Sequence, residues 1–252
     1  MGSGHRPSTL SDRGPVHRLP AQCKLAATVL FVFAVVSTPR EQWWAFAIEA
    51  ALLIGVATFG RVPLRFVARR LVIELPFLAF AILLPIVGNG PRVHVLGLHL
   101  SEAGSWAAWN ILVKGTLGVA ATIVMTATTP VPHILLGLER LHVPKLLVAM
   151  MSFMIRYGDV VGGEMQRMRI ARLSRGDDPR WIWQAKAVAQ TSGALFVRSY
   201  ERGERVYLAM ESRGYTGSMP MRESASSAAA WVWCMAAPAA AATISCAAWV
   251  SR

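Results

Sequence analysis

Five stretches of this chain are predominantly apolar for about 17 residues or more: Ala21–Ser37, Trp43–Phe59, Leu71–Val87, Ser105–Ala127 and Ala225–Val250. Runs of that length match the hydrocarbon thickness of a bilayer, and a backbone inside hydrocarbon must satisfy its own N–H and C=O groups, which a helix does. The chain therefore reads as all-α, a polytopic membrane protein with about five transmembrane helices. Pro76 and Pro85 in the third run require that neighbouring helices or water take up the freed backbone groups.

Charge decides the rest of the class. The chain carries 26 Lys and Arg against 14 Asp and Glu, a formal net charge of +12, yet its mean hydropathy is +0.42. A soluble basic domain has no use for five such runs, so the charge belongs to the cytoplasmic parts of a membrane protein and not to a nucleic-acid binder. Cys23, Cys234 and Cys246 are widely spaced in or beside apolar runs and read as small core residues, with neither a zinc spacing nor a disulfide pairing.

The basic residues fall on alternate sides. Arg6, Arg13, Arg18 and Lys24 precede or open the first run, Arg61, Arg65, Arg69 and Arg70 follow the second, and 14 lie between residues 128 and 226. The opposite flanks, including the Gly/Pro-rich loop from Gly88 to Gly104, hold Arg40, Arg92 and Arg252. The positive-inside rule then places the N-terminus and the long insert in the cytoplasm and the C-terminus outside. The expected division is a flexible arm over residues 1–20, four spans over 21–128, a cytoplasmic insert over 129–224 and a fifth span over 225–252.

The insert is too polar to lie in lipid and holds no strand signal. After a short stretch ending at Val143-Pro144, apolar residues recur at Leu147, Met150, Met154, Tyr157, Val161, Met165 and Met168, steps of three and four that mark one face of a helix. Gly162 and Gly163 are expected to weaken it. Asp178-Pro179 offers an N-cap and a first-turn proline for a second long helix from Trp181 to Ser212, with a bend expected at Ser192-Gly193 or Gly203 and a stop at Gly214, Gly217 and Pro220. Apolar stripes on the two helices suit packing of one on the other.

Each long helix closes on the same phrase. Residues 171–176 read Ala-Arg-Leu-Ser-Arg-Gly and residues 209–214 read Ala-Met-Glu-Ser-Arg-Gly. Gly176 and Gly214 suit a left-handed cap, and Arg175 or Arg213 just before it projects from the tip. A cation at a helix C-terminus gains ~0.3–1 kcal/mol from the macrodipole. That gain requires no common neighbours, so the repetition of Ser174-Arg175-Gly176 and Ser212-Arg213-Gly214 points to a shared docking role.

Catalytic patterns are missing. There is no Gly-x-x-x-x-Gly-Lys phosphate loop, so any ATP is handled by another polypeptide, and neither Gly-x-Ser-x-Gly nor His-Glu-x-x-His occurs. His94 with His99, and His133 with His142, are too loosely spaced to argue for a metal site. Glu74 and Lys114 stand out as ionisable residues inside the apolar runs, read as snorkelling or as pairing with a neighbouring helix or partner.

Together the two Arg-Gly helix ends, Gly137 to Pro144 (Gly-Leu-Glu-Arg-Leu-His-Val-Pro), Arg156-Tyr157, and His17-Arg18-Leu19-Pro20 with Lys24-Leu25 resemble the transmembrane coupling (T) component of energy-coupling factor transporters, the EcfT/CbiQ family. Ala209 to Pro220 is most similar to its cobalt and nickel branch. The resemblance covers about residues 17–222. It implies a non-catalytic scaffold in the bacterial inner membrane that binds no cofactor itself. It also implies two CbiO-like ATPase subunits that hydrolyse ATP, a CbiM-like substrate-binding membrane subunit with a small CbiN-like companion, and cobalt as the transported ion. The family's ATPase-coupling motif falls on Ser174, Arg175, Gly176, Ser212, Arg213 and Gly214, with Ser where the family usually has Ala. The competing readings are a T component for a vitamin transporter and a membrane-bound enzyme using Glu74 and the cytoplasmic histidines.

Overall fold

The computed structural model describes residues 16, 19–87, 92–95, 98–176, 185–215 and 227–251. The N-terminal arm, the Asp178-Pro179 cap and the stop at Gly217 and Pro220 lie outside the described residues. Nine α-helices are present among the described residues: α1 (Ala21–Ser37), α2 (Trp43–Phe59), α3 (Leu64–Arg70), α4 (Leu75–Val87), α5 (Glu102–Thr128), α6 (Val131–Arg140), α7 (Lys145–Leu173), α8 (Ala185–Glu211) and α9 (Ala228–Val250). They fall into two compact units, Pro7–Leu141 with Glu223–Arg252, and His142–Arg222.

The first unit is the apolar one. α5 lies at its centre, and one side of it, Leu117 and Ala121, packs with Phe31, Ala34 and Val35 of α1, Phe46 of α2 and Ala241 of α9. Ala120, Ile123, Val124 and Ala127 meet Ala57, Val62 and Val67 around the end of α2 and the start of α3. Small residues dominate where α1 meets α9, with Cys23, Ala34, Cys234, Ala241, Ser245 and Ala248 buried. Close helix approach through small side chains is how helices associate when lipid removes the hydrophobic driving force between them. The large apolar side chains of α4, such as Phe77, Phe80, Ile82 and Ile86, face outward instead.

Polar side chains tie the helix ends of this unit to one another. Lys24, in the first turn of α1, is buried and donates from Nζ to the Thr128 carbonyl at 3.1 Å and to Thr129 Oγ1 at 3.3 Å, at the end of α5. The last carbonyls of a helix have no partner within it, and a cation is their best one. Lys114 Nζ of α5 donates to the Val36 carbonyl at 2.7 Å, and Trp249 Nε1 of α9 donates to the Ser37 carbonyl at 2.9 Å, so the end of α1 is closed by two other helices. Ser101 and Ser227 cap the starts of α5 and α9 by accepting from the Gly104 and Ala230 amides.

Two glycines permit contacts that any side chain would block. A Cβ on Gly104 of α5 would stand 2.5 Å from the Leu84 carbonyl oxygen and 2.9 Å from Pro85 Cα, and α4 and α5 pack against each other. Pro85 inside α4 cannot donate to the helix ladder, and its kink-prone turn is the one that α5 approaches. A Cβ on Gly137 of α6 would stand 2.9 Å from the Gln22 amide nitrogen, so α6 lies against the start of α1 and belongs to the apolar unit although it follows residue 129.

Three features depart from the sequence reading. The third apolar run begins as a 3-10 turn over Leu71–Glu74 and becomes α-helical at Leu75, which places Pro76 in the first turn of α4 where its missing N–H costs little. The loop between α4 and α5 contains a two-stranded antiparallel hairpin, β1 (Arg92–Val95) with β2 (Leu98–Ser101), the only strands among the described residues. Its register sets position 94 opposite position 99, so this histidine pair shares a cross-strand position despite its loose spacing along the chain. The insert is not uniformly polar either, because α7 contains an 18-residue window with hydropathy 1.3, and by length and composition it joins α5 and α9 as a helix able to cross a membrane.

Steric opposition on one helix gives a test. Gly104→Ala forces a Cβ into backbone and should cost about 1–3 kcal/mol. Gly118→Ala, with nothing within 4 Å of the new atom, should stabilise the same helix through propensity. Thermal unfolding of the full chain in detergent should fall for the first and hold or rise for the second. Shifts of the same sign would contradict the packing described.

Candidate functional site

α7 and α8 are long and continuous. α7 has 29 residues and α8 has 27, so neither Gly162-Gly163 nor Gly193 or Gly203 interrupts the hydrogen-bonded helix. Glu164 joins them, with one carboxylate oxygen 3.4 Å from Arg198 and the other 3.2 Å from Arg202. Its side chain is only 13% exposed, which lifts this two-arginine clamp above an ordinary surface pair. Phe153 and Tyr157, earlier on α7, line a groove with Val206 and Met210, later on α8. The register therefore runs in opposite senses, and the two C-terminal tips lie on opposite sides of the crossing.

The apolar stripes are mostly not buried. In α7 only Val148 and Ala149 are buried, while Leu146, Leu147, Met150 and Met154 are exposed. The groove between the helices, about 370 Å3, is walled by Phe153, Met154, Tyr157, Val161, Val206 and Tyr207 and open to the outside. Phe153 and Tyr157 stack at 6.1 Å. An open apolar groove bordered by methionine is a surface that can re-pack against something else.

The two tips are built alike. At the first, the Ser174 amide bonds the Ile170 carbonyl, the Arg175 amide that of Arg172 and the Gly176 amide that of Leu173, with Gly176 at φ 79°. At the second, Ser212 bonds Leu208, Arg213 bonds Met210 and Gly214 bonds Glu211, with Gly214 at φ 81°, and Tyr215 closes the cap on Met210. Left-handed φ at these two positions is why glycine ends both phrases. Each serine hydroxyl donates at 3.0 Å to the alanine carbonyl three residues back, Ala171 or Ala209. The hydroxyl is thus spent on its own helix, which accounts for Ser serving where Ala would.

Every backbone donor of the cap is used locally, and the guanidinium is what remains. Arg175 and Arg213 are exposed and, among the described residues, neither has a hydrogen-bond or ion-pair partner. Arg172, one turn before the first tip, has its Nε and Nη1 buried without a hydrogen-bond partner. Unmet donors of that kind cost about 1–3 kcal/mol and make the site receptive to an acceptor.

Elsewhere the ionisable residues serve the scaffold. Lys114 closes the end of α1, and a Cβ on Gly115 would stand 3.6 Å from Glu74 Oε1, so both touch neighbouring helices. Glu49 of α2 is a third ionisable residue inside the apolar runs, missed in the sequence although the signal that marks Glu74 and Lys114 marks it too. It is fully buried and accepts from Thr38 Oγ1 at 2.8 Å. Among the described residues, no group of three or more His, Cys, Asp or Glu is placed to hold a metal ion.

Residues 12–223 match the family described as "Cobalt transport protein", CbiQ. The chain belongs to this family. It is a membrane T component of the EcfT/CbiQ kind, and the match spans both tips. It is 29% identical over 216 residues to the energy-coupling factor transporter transmembrane protein EcfT of Bacillus subtilis, covering 80% of this chain and 81% of that one. It is 27% identical over 178 residues to the cobalt transport protein CbiQ of Rhodobacter capsulatus, covering 69% and 70%. Against a protein designated a fused cobalt transport protein, CbiMQ, of Methanocorpusculum labreanum it is 23% identical over 239 residues, covering 88% of this chain but 40% of that one.

The cap geometry separates the roles of neighbouring residues. Gly214→Ala places a Cβ at φ 81° and should cost about 1–2 kcal/mol locally. Hydrogen exchange of the Ser212 to Tyr215 amides should then quicken about fivefold or more. Ser212→Ala should leave it unchanged. Equal effects of the two changes would contradict the cap.

Proposed function

We propose that this chain couples ATP hydrolysis by two cytoplasmic ATPase subunits to uptake of cobalt, or nickel, through a substrate-binding membrane subunit. The observation that carries the reading is the duplicated tip: the same cap twice, each leaving one exposed arginine unmatched, on two helices clamped by Glu164. Arginine presents a rigid fork of donors that fits a carboxylate bidentately. Tips on opposite sides of a crossing suit two separate partners better than one. Ser174-Arg175-Gly176 and Ser212-Arg213-Gly214 are the ATPase-coupling residues in this reading, and the chain itself hydrolyses nothing and holds no cofactor.

Mechanically, two ATPases closing on ATP would move the tips, and helices of 29 and 27 residues carry that movement as rods. The open groove between them offers an apolar surface through which the movement reaches a membrane partner. The charge distribution supports a cytoplasmic N-terminus and insert and an outward C-terminus, and the similarity to EcfT of Bacillus subtilis and CbiQ of Rhodobacter capsulatus favours a bacterial cytoplasmic membrane. Cobalt is favoured by the family description and by the relatives named for cobalt transport. A vitamin-specific transporter is the second reading, favoured by the similarity to proteins named EcfT.

Arg175→Ala or Arg213→Ala should each cost about 2–5 kcal/mol of docking energy. The expected result is weaker co-purification of the ATPase subunits and ATP hydrolysis uncoupled from cobalt uptake, more severely in the double variant. Wild-type co-purification and uptake in the double variant would overturn the proposal. Uptake of a vitamin, and not of cobalt or nickel, would select the second reading.

A further inference from the structure

The second cluster of arginines, far in sequence from the tips, has its own geometry. α2 ends in a full C-cap: the Arg61 amide bonds the Thr58 carbonyl and the Val62 amide that of Ala57, both at 2.9 Å. The left-handed position of such a cap is normally glycine's, yet here it is Arg61, at φ 52°, with Gly60 one residue too early to serve. Strain of that kind persists where surrounding structure holds it. Val62 and Val67 do so, both buried against α5 and the end of α2.

The pinned segment displays four cations. Arg65 and Arg69 are four residues apart on α3, Arg61 precedes them by the same interval, and Arg70 lies over the Phe66 ring at 4.5 Å. All four are exposed, and residues 50–73 contain no Asp or Glu. Arg65 and Arg69 repel one another on α3, and Glu74, four residues beyond Arg70, is the one acidic residue near enough in sequence to offset any of the four. The arrangement persists most readily with an anion bound across it.

Its surroundings identify the anion. Phe59, Leu64, Val72, Ile73 and Leu75 are all exposed, a collar of large apolar side chains immediately beside the arginines. In a membrane protein, apolar side chains that face outward lie in hydrocarbon, so the adjoining cations stand at the level of the headgroups. Polybasic segments at that level bind anionic lipid, and the guanidinium fork suits a phosphodiester. A soluble anion would have no use for the collar. We propose that Arg61, Arg65, Arg69 and Arg70 form a seat for the phosphate of an anionic phospholipid, clasped between the arginines and the apolar collar.

The test uses the full chain in detergent, titrated with phosphatidylglycerol or phosphatidylcholine and, separately, with inorganic phosphate, reading the thermal midpoint and bound lipid by native mass spectrometry. Phosphatidylglycerol should bind and raise the midpoint where phosphatidylcholine does not. Arg65→Gln with Arg69→Gln should weaken that binding roughly tenfold or more, whereas Arg40→Gln, an equal loss of charge per residue at a distant turn, should leave it intact. If the glutamine pair fails to fold, the lysine pair replaces it and should retain selectivity for the anionic lipid with reduced affinity. The proposal is overturned if the two lipids act alike on the wild type. It is equally overturned if inorganic phosphate alone reproduces the shift, or if the arginine changes spare lipid binding.

Discussion

A helix ends with carbonyls it cannot satisfy, and in lipid no water will do it. The two units of this protein answer that constraint in opposite ways. In the apolar unit the ends are closed by side chains from other helices: Lys24 on α5, Lys114 and Trp249 on α1. Each such bond ties one helix to another, and breaking the buried Lys24 bonds strands a buried donor at a cost of about 1–3 kcal/mol. Glu49 held by Thr38 adds a further tie between α1 and α2. The result is a scaffold whose helix ends are committed to one another.

α7 and α8 end without such help. Their caps close on their own backbone through a left-handed glycine, and the serine hydroxyl returns to its own helix. Nothing in the cap consumes the arginine. A side chain that contributes to neither core nor cap, repeated at two helix ends, is available to a partner, and in the proposed reading the long helices behind it convert a push at the tip into movement elsewhere. Membership of the EcfT/CbiQ family places this device in a transporter. The arginines of α3 differ in kind, since they sit beside exposed apolar side chains and repel one another.

The sequence made visible whatever depends on one helix at a time. α1 and α2 occupy the residues of the first two apolar runs, and both tips cap where Gly176 and Gly214 stand. What it hid depends on two helices at once. Lys24 looks like a flank charge until α5 ends beside it, and Glu49 looks like an interruption until Thr38 is found 2.8 Å away. Gly137 belongs to a recognisable motif, but only the nearness of α1 explains why a Cβ fails there. The stripe on α7 has the period of a packed face, and period alone does not reveal that Met150 and Met154 are exposed. The hairpin was obscured because a four-residue strand carries too little alternation to register.

The account rests on two arginine tips meeting ATPase subunits, and contact is what should be measured. A photo-activatable residue placed at Ser174 or at Ser212, beside each arginine, should cross-link to an ATPase subunit from both positions in the assembled transporter. Cross-links from either tip to lipid or to the membrane partner alone, with the ATPase subunits present and bound, would contradict it.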